Sequence, residues 1–471
     1  MPNPKNLKKK VMRGALSLAL RQVVSVGLSV VSILVIAREL GPVNYGIVVN
    51  ALGIYYFLNW TGTLGLHAYL IKQPELEEDA AEQVLAFLNC LGLIMGIGLW
   101  FLAPGLGVWT KQPVIGELVR WLPLPIWMNL VSKVSISMLE RNLAFGEVGL
   151  IEVVGQVSNY LVTVPLVFMG WSYWGPLAGL VFQGFVLFIA AQYFYRVGWR
   201  WGWHWSFLKP ALAYGITFSA SQWIMSLRSL TLPLVVTPLA GVEAAGLVSI
   251  SVRLAEQLSI LRLVIRRMSI SVMAKLTGNT QAILKTISRG MAYQAIMIGT
   301  LCAAFACIDS WVIPIVFGEA WLPSTQIFPF VALATMVRAM FDLHTAALYA
   351  SNRNVSVVCA YALYIGLLWL GCALLMPQFG LWGYGIAELL TIGSHFLLHQ
   401  SVLKLYGFPD YKPALWLTLA AMLPIFSGSL ISPIVGILVF IATYSFVLLN
   451  PEVRAIAIDL WKTLRSRQKP T

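Results

Sequence analysis

Charged residues are scarce in this sequence. Only 11% of the 471 residues are Asp, Glu, Lys or Arg, and 59% are hydrophobic. A soluble globular domain carries about 25% charged residues, so this composition excludes a soluble protein. Apolar runs of about 20 residues, the length that crosses a bilayer as a helix, recur along the chain. We therefore predict an all-α polytopic membrane protein.

Patterns typical of catalytic and metal sites are also scarce. The five cysteines lie in apolar runs and form no Cys-x-x-Cys pair, so we interpret them as small core residues. The chain has no Asp-x-Asp motif of a metal-dependent glycosyltransferase, and no loop is long enough for a soluble catalytic domain. His395 and His399 are spaced for one helix face, but no third metal ligand is evident. We therefore predict a protein that is not an enzyme and has no cofactor or metal.

Acidic residues are few, with 19 against 32 basic residues and a net charge of +13. The apolar runs predict fourteen spanning helices, at residues 14–37, 45–66, 81–103, 114–138, 145–169, 173–195, 210–238, 244–265, 288–312, 324–349, 355–376, 381–403, 414–431 and 433–449. With the N-terminus in the cytosol, the loops on that side carry 24 of the 32 basic residues and the outer loops carry two. Because this bias follows the positive-inside rule, we expect both termini to be cytosolic.

A short stretch with proline and glycine separates the first two predicted helices. Pro42 cannot continue a helix and disfavours a helical residue before it, and Gly41 and Gly46 permit a tight reversal. We therefore predict a hairpin tip at this stretch. Gly241 and Gly246 repeat the glycine spacing 200 residues later, which is the first indication of two related halves.

Other matches extend the repeat along the chain. They occur in the same order at similar offsets, and they pair Trp174 with Trp382, Glu117 with Glu319, and Arg141 with Arg353. An offset of six helices preserves direction, so the pattern predicts two six-helix lobes related as parallel repeats, plus a C-terminal helix pair. The predicted domains are an N-terminal lobe at 1–198, a cytosolic interfacial linker at 199–209, a C-terminal lobe at 210–406, the extra helix pair at 407–450 and a basic cytosolic tail at 451–471.

Several motifs resemble those of the oligosaccharide flippases of the polysaccharide transporter family, which includes O-antigen flippases. This family belongs to the multidrug/oligosaccharidyl-lipid/polysaccharide (MOP) flippase superfamily. The motifs are Ala37-Arg38-Glu39-Leu40-Gly41-Pro42-x-x-Tyr45-Gly46, Thr63-Leu64-Gly65-Leu66, Leu139-Glu140-Arg141-Asn142-Leu143-Ala144-Phe145 and Phe317-Gly318-Glu319-Ala320-Trp321. The resemblance covers nearly the whole chain.

The resemblance implies both a fold and an activity. It implies two six-helix bundles around a cationic cavity in a bacterial inner membrane. The implied activity is flipping of a polyprenyl-diphosphate-linked oligosaccharide to the outer leaflet for cell-surface polysaccharide such as lipopolysaccharide, with other polysaccharide-assembly membrane proteins as partners and no nucleic acid. Cation-coupled members of the superfamily often carry an acidic residue in the first helix, and residues 14–37 contain none. This departure weakens a drug/cation antiport interpretation and leaves the coupling open.

Arginines in or near the predicted helices are the candidate diphosphate ligands. A diphosphate does not enter hydrocarbon unaided, and guanidinium is permanently charged and grips phosphate bidentately. In order of preference, the candidates are Arg228, Arg253, Arg21 and Arg338. Arg228 has no acidic residue within one turn, which makes it the first choice.

Acidic neighbours provide an alternative role for two of these arginines. Glu256 follows Arg253 by three residues and Asp342 follows Arg338 by four, so each arginine is equally consistent with a self-paired structural charge. The intramembrane acids Glu256, Asp342, Glu152 and Glu388 are candidates for binding a coupling proton or sodium ion, or for balancing the arginines. We favour charge balance.

Two other functions remain open from the residues alone. One is a membrane enzyme of glycan assembly, a polymerase or acyltransferase, although no large outer loop or catalytic set is visible. The other is a cation-coupled exporter of small molecules. The tryptophan-rich linker Trp199-Arg200-Trp201-Gly202-Trp203-His204-Trp205 suits a sugar or lipid platform or an interfacial anchor, and we favour the anchor.

Overall fold

The computed structural model describes residues 4–466 except 261, 263–264, 266–268, 270–271 and 277, and it describes side chains for Gly27 and for 32–459 with the same gaps. The described residues form helices and turns, with no strand among them. The α-helices are Pro4–Gly62, Leu66–Lys72, Ala80–Trp109, Pro113–Trp121, Pro123–Arg141, Phe145–Leu166, Trp174–Phe194, Trp205–Ser226, Thr237–Leu258, Thr280–Ala306, Asp309–Val316, Phe328–Met340, Asp342–Ala350, Asn354–Phe379, Leu381–Leu390, His395–Tyr406, Lys412–Leu430, Pro433–Leu448 and Pro451–Ser466. The all-α membrane class is thereby confirmed.

Short turns of other helix types interrupt the α-helices. Five such turns lie among the described residues, at Val167–Trp171, Leu227–Leu230, Leu232–Val236, Glu319–Gln326 and Thr391–Ser394. Two of them follow one another inside the seventh predicted span, where Pro233 lacks the amide hydrogen that an α-helix needs. A break of this kind within a span often marks a hinge or a functional position.

The predicted count of fourteen spans is not confirmed. Within the described residues, nine helices are long and apolar enough to cross a membrane, and the count reaches eleven if two sharply bent helix pairs each form one span. Three of the fourteen predicted spans are not among these eleven, for two different reasons. The side chains of residues 14–31 other than Gly27 lie outside the described part, whereas 210–238 and 381–403 are divided by the short turns named above.

The chain divides into two compact units, Met1–Gly246 and Leu247–Thr471. The first unit buries an apolar cluster between its opening helix, Ala80–Trp109 and the two helices from Pro113 to Arg141. The second unit buries another along Thr280–Ala306, the helices of residues 328–350 and the C-terminal helices. The lobe boundaries derived from the sequence stay a prediction.

The tryptophan-rich linker lies against a helix of the first unit. Arg200 Nε lies 3.3 Å from Glu82 Oε2, and the backbone N–H of His204 donates to Gln83 Oε1 at 2.8 Å. Both partners belong to the first turn of Ala80–Trp109. The linker is therefore fastened to this helix by polar contacts, while its tryptophans are between 37% and 74% exposed.

Candidate functional site

The two glycine motifs adopt the same backbone conformation. Gly41 has φ 65° and ψ 174°, and Gly241 has φ 85° and ψ 173°. A positive φ with an extended ψ is open almost only to glycine, and at each position it breaks the helix. The repeat noticed in the sequence therefore corresponds to a repeated structural break.

The helices that follow these breaks cross at the second glycine of each motif. A Cβ atom added to Gly46 would overlap the carbonyl oxygen of Val242, and one added to Gly246 would overlap that of Pro42. Each added Cβ would lie 3.3 Å from the amide nitrogen of the other glycine. The contact is thus reciprocal, as in a two-fold interface where the same patch meets itself.

The same pair of segments stays in close contact further along. Ser229 Oγ donates to the carbonyl oxygen of Gly53 at 2.9 Å, and Thr237 Oγ1 donates to the buried Asn50 Oδ1 at 2.8 Å. A Cβ on Gly65 would overlap the Gly215 carbonyl. Residues 46 to 65 therefore run antiparallel to residues 215 to 242, and the two backbones are in direct contact at the glycines.

Arg228, the first candidate ligand, lies where the helix of residues 215 to 242 is interrupted, next to the contact between Ser229 and Gly53. It is half-buried on the Leu227–Leu230 turn, directly before Ser229. Such interrupted spans often form the binding sites of transporters, because their freed backbone groups and side chains face a cavity. The side chain of Arg21, another candidate, lies outside the described residues.

Arg338 belongs to a buried polar network in the second unit. Its guanidinium donates to Tyr364 Oη at 2.7 Å and to Thr335 Oγ1 at 3.0 Å, and it lies 5.7 Å from the centre of the Tyr364 ring. The Tyr364 hydroxyl lies 3.5 Å from Glu388 Oε2, and Tyr384 donates to Glu388 Oε1 at 2.8 Å. The structure thus links Arg338 and Glu388 through one tyrosine.

Asp342 forms its ion pair with a residue that the sequence did not suggest. Arg262 Nε lies 2.5 Å from Asp342 Oδ2, and Arg262 Nη2 lies 2.8 Å from Asp342 Oδ1. The i+4 spacing had offered Asp342 as the partner of Arg338, and that pairing is wrong. The sequence did not suggest Arg262 as a partner of Asp342, because Arg262 is the first residue of a basic run that is typical of a cytosolic connector.

Removing the carboxylate of this pair is expected to destabilise the protein. The side chains of Asp342 and Arg262 are 6% and 21% exposed, and breaking a buried ion pair by removing one partner costs about 3–5 kcal/mol. We expect Asp342→Asn to lower the thermal midpoint in detergent. The double variant Asp342→Leu with Arg262→Met should recover most of the loss, because no charge is then left unpaired. Equal midpoints for native protein and Asp342→Asn would contradict this role.

The remaining candidates lie on two helices. Arg253 is half-buried and Glu256 is exposed on Thr237–Leu258, while Glu152 is half-buried on Phe145–Leu166. Their roles stay predictions. His395 and His399, considered as a metal pair, form no group with a third His, Cys, Asp or Glu ligand within the described residues.

Arg141, in one of the motifs that carry the family resemblance, has a structural role. Its guanidinium donates to the carbonyl oxygens of Leu70, Gln73 and Pro74 at 3.0, 2.5 and 3.1 Å. These carbonyls lie at the end of Leu66–Lys72 and just after it, where helix carbonyls lack internal partners. Arg141 therefore fastens the end of the helix Leu66–Lys72 to the end of the helix Pro123–Arg141.

Arg141→Met is expected to lower the thermal midpoint in detergent. Hydrogen bonds to charged groups contribute about 1.5–3 kcal/mol, and three are lost together. Arg353→Met is the matched control, because Arg353 answers Arg141 in the sequence repeat but is exposed. A control that loses as much stability as Arg141→Met would show that the three carbonyl contacts are not responsible.

Comparisons with known proteins agree with this fold. Residues 35–326, well over half of the chain, match the family model described as "Polysaccharide biosynthesis protein". The lipopolysaccharide biosynthesis protein WzxC of Escherichia coli (strain K12) is 22% identical over 434 residues, which is 89% of this chain and 87% of that protein. The succinoglycan biosynthesis transport protein ExoT of Rhizobium meliloti (strain 1021) is 28% identical over 160 residues, 34% of this chain and 32% of that protein.

Two solved structures share the fold. The lipid II flippase MurJ in its inward closed conformation aligns with a TM-score of 0.68 at 13% identity, over 92% of this chain and 98% of that one. A multidrug resistance MATE family transporter of the MOP superfamily, facing inward, aligns with a TM-score of 0.60 at 15% identity, over 83% and 98%. With nine helices among its described residues that are long and apolar enough to cross a membrane, the chain is a multi-pass membrane protein. It belongs to the family described as "Polysaccharide biosynthesis protein".

Proposed function

We propose that this protein moves a polyprenyl-diphosphate-linked oligosaccharide from the inner to the outer leaflet of the bacterial cytoplasmic membrane, with both termini in the cytosol. The observation that carries the proposal is the family match over residues 35–326, in a chain whose apolar helices hold arginines at positions 228, 253 and 338. An arginine near the centre of a span costs about 2.5–3.5 kcal/mol on insertion scales. Binding of an anionic substrate would explain why these arginines are retained despite that cost.

The arginines would replace water around the diphosphate. Each guanidinium offers several donors in a rigid fork that matches phosphate oxygens. In a site screened from water such charge-assisted hydrogen bonds are stronger than in solution. The glycan would stay in the aqueous part of the cavity, and the polyprenyl tail would remain in the bilayer.

Alternating access would use the reciprocal glycine contact as its closed position. Gly46 and Gly246 allow two backbones to touch with no side chain between them. A transporter that rocks between two states needs interfaces of this kind, which form and separate at low cost. Membrane proteins of polysaccharide assembly that make and extend the lipid-linked glycan are the partners we propose.

Ligand-dependent stability tests the proposed substrate class. A ligand that binds only the folded state raises stability by about 2.7 kcal/mol at 100 times its Kd. We expect polyprenyl-diphosphate oligosaccharide to raise the thermal midpoint of the purified protein, and the same polyprenol without diphosphate to have little effect. Equal shifts from both lipids would show that the diphosphate is not recognised and would contradict the proposal.

A further inference from the structure

A groove of about 420 Å³ lies between two helix ends of the first unit, at its predicted outer side. Residues near the end of Ala80–Trp109 line one wall, and residues of Pro113–Trp121 at positions i, i+3, i+4 and i+7 line the other. The helices touch at Gly116, where an added Cβ would lie 2.6 Å from the Ala103 carbonyl oxygen. The walls are therefore held by direct backbone contact, and the volume is that of a small-ligand site, about 300–1,000 Å³.

The surface that continues from this groove is apolar. Five large apolar side chains in the last three turns of Ala80–Trp109 are between 52% and 80% exposed, namely Trp100, Phe101, Leu102, Val108 and Trp109. Exposed apolar side chains of a membrane span contact lipid, and tryptophan is enriched where the headgroups lie. The molecule next to this groove in a bilayer is therefore a lipid, with its headgroup at the level of the groove.

Opposite charges line the groove without pairing with each other. Lys111 Nζ donates to the Pro238 carbonyl oxygen at 3.3 Å, which uses one of the three N–H donors of an ammonium group. Glu117 is exposed and has no cation within 4 Å in the part of the chain that the structure describes. Arg120 also lines the groove, and its guanidinium lies 5.6 Å from the centre of the Trp100 ring. The groove thus offers both ammonium donors and a carboxylate acceptor to one ligand.

We propose that this groove binds a phosphatidylethanolamine lipid of the outer leaflet, with Lys111 donating to the phosphate and Glu117 accepting from the primary ammonium. The acyl chains lie along the exposed apolar side chains of Ala80–Trp109. A phosphocholine headgroup carries the same charges but has no N–H to donate to Glu117. A phosphoglycerol headgroup has no cation, so the carboxylate repels its phosphate. The site goes beyond the proposed function, because this lipid is not the transported one.

The groove belongs to a hairpin that is fastened to the interrupted span of residues 210–238. Trp109 Nε1 donates to the Leu234 carbonyl oxygen at 3.0 Å, and Lys111 contacts Pro238 as described. Lys111 has φ 54°, which residues other than glycine seldom adopt. A bound phosphate gives the Lys111 ammonium a second partner, so it steadies the hairpin against the segment that leads to Gly241.

Lipid-dependent stability of the purified, delipidated full-length protein tests the headgroup. Phosphatidylethanolamine, phosphatidylcholine and phosphatidylglycerol with identical acyl chains are titrated in detergent, and the thermal midpoint is followed. We expect an apparent affinity for phosphatidylethanolamine at least about tenfold higher than for the other two, because neither makes the charge-assisted hydrogen bond to Glu117. Equal affinities for the three lipids would overturn the proposal.

Free phosphoethanolamine distinguishes a lipid from a soluble ligand of the same chemistry. It should leave the thermal midpoint unchanged at concentrations where the lipid raises it, because it lacks the acyl chains that contact the apolar surface. A shift as large as that of the lipid would show that the groove takes a soluble ligand, which would overturn the lipid assignment.

Two variants separate the roles of the carboxylate and the ammonium. Glu117→Gln should lower the affinity for phosphatidylethanolamine at least about tenfold, to that for phosphatidylcholine, whose own binding stays unchanged. Lys111→Asn keeps a residue that tolerates the left-handed backbone and should weaken the binding of both lipids alike. A native preference in Glu117→Gln, or native binding in Lys111→Asn, would overturn the proposal.

Glu319→Gln is the matched control for the carboxylate. Glu319 answers Glu117 in the sequence repeat, and it is exposed at the start of Glu319–Gln326 in the second unit. The change in net charge is the same, but this residue does not line the groove. The control should keep the native preference for phosphatidylethanolamine. A loss equal to that of Glu117→Gln would assign the preference to net charge and overturn the site.

Discussion

Replacing Gly46 or Gly246 by alanine is expected to reduce transport by about 5- to 150-fold. The single added methyl would overlap a backbone carbonyl of the facing helix, and backbone cannot move aside as the end of a side chain does. Forcing extra volume into a packed contact costs about 1–3 kcal/mol, which shifts a two-state equilibrium about 5- to 150-fold. The variant should therefore lose the state in which the two helices touch.

Transport rates and a distance measurement test this expectation together. Spin labels placed near the outer ends of the two helices should report a longer separation in Gly46→Ala than in native protein. Gly98→Ala is the control, because that glycine is helical and has nothing within 4 Å of an added Cβ. Alanine there should be neutral or slightly stabilising. Native transport in both Gly46→Ala and Gly246→Ala would refute the glycine contact as a functional closure.

Arg228→Met is expected to reduce flipping by at least about tenfold without lowering stability. Losing a hydrogen bond to a charged group costs about 1.5–3 kcal/mol, and each 1.4 kcal/mol is a factor of about ten in affinity. Removing a cation from a span also relieves an insertion cost. The combination of retained thermal midpoint and lost transport distinguishes a ligand from a structural charge such as Asp342.

Arg120→Met is the matched control for this variant. Arg120 is exposed at the end of Pro113–Trp121, and its guanidinium lies 5.6 Å from the Trp100 ring centre. This position suits an interfacial residue, so its removal should leave flipping unchanged. Arg228→Lys should retain part of the activity, because lysine keeps the charge and loses the planar fork. Full flipping by Arg228→Met would assign Arg228 a structural role.

Local patterns in the sequence were sufficient for the membrane class, the family and the glycine repeat. Long apolar runs indicate membrane spans directly. Gly41 and Gly241 indicate helix breaks, because few other residues tolerate their backbone angles. The breaks at 227–236 and 391–394 were missed, because an apolar run has the same composition whether or not its helix is continuous. These breaks divide two of the fourteen predicted spans, so the structure does not confirm the predicted count.

Contacts between distant segments were beyond the sequence. The glycine spacing gave no indication that Gly46 and Gly246 face each other. Asp342 had a nearer arginine in the chain at position 338, yet it pairs with Arg262, 80 residues away. Pairings of this kind are set by tertiary packing, which overrides local spacing.

Transbilayer movement of a fluorescent polyprenyl-diphosphate oligosaccharide in proteoliposomes is the most direct test of the central claim. We expect native protein to bring the labelled glycan to the opposite leaflet and protein-free vesicles to leave it in place. We also expect native protein not to move a polyprenol-linked glycan that lacks the diphosphate. Folded native protein that moves neither lipid, or moves both at the same rate, would contradict the claim that a diphosphate-linked glycan is the substrate.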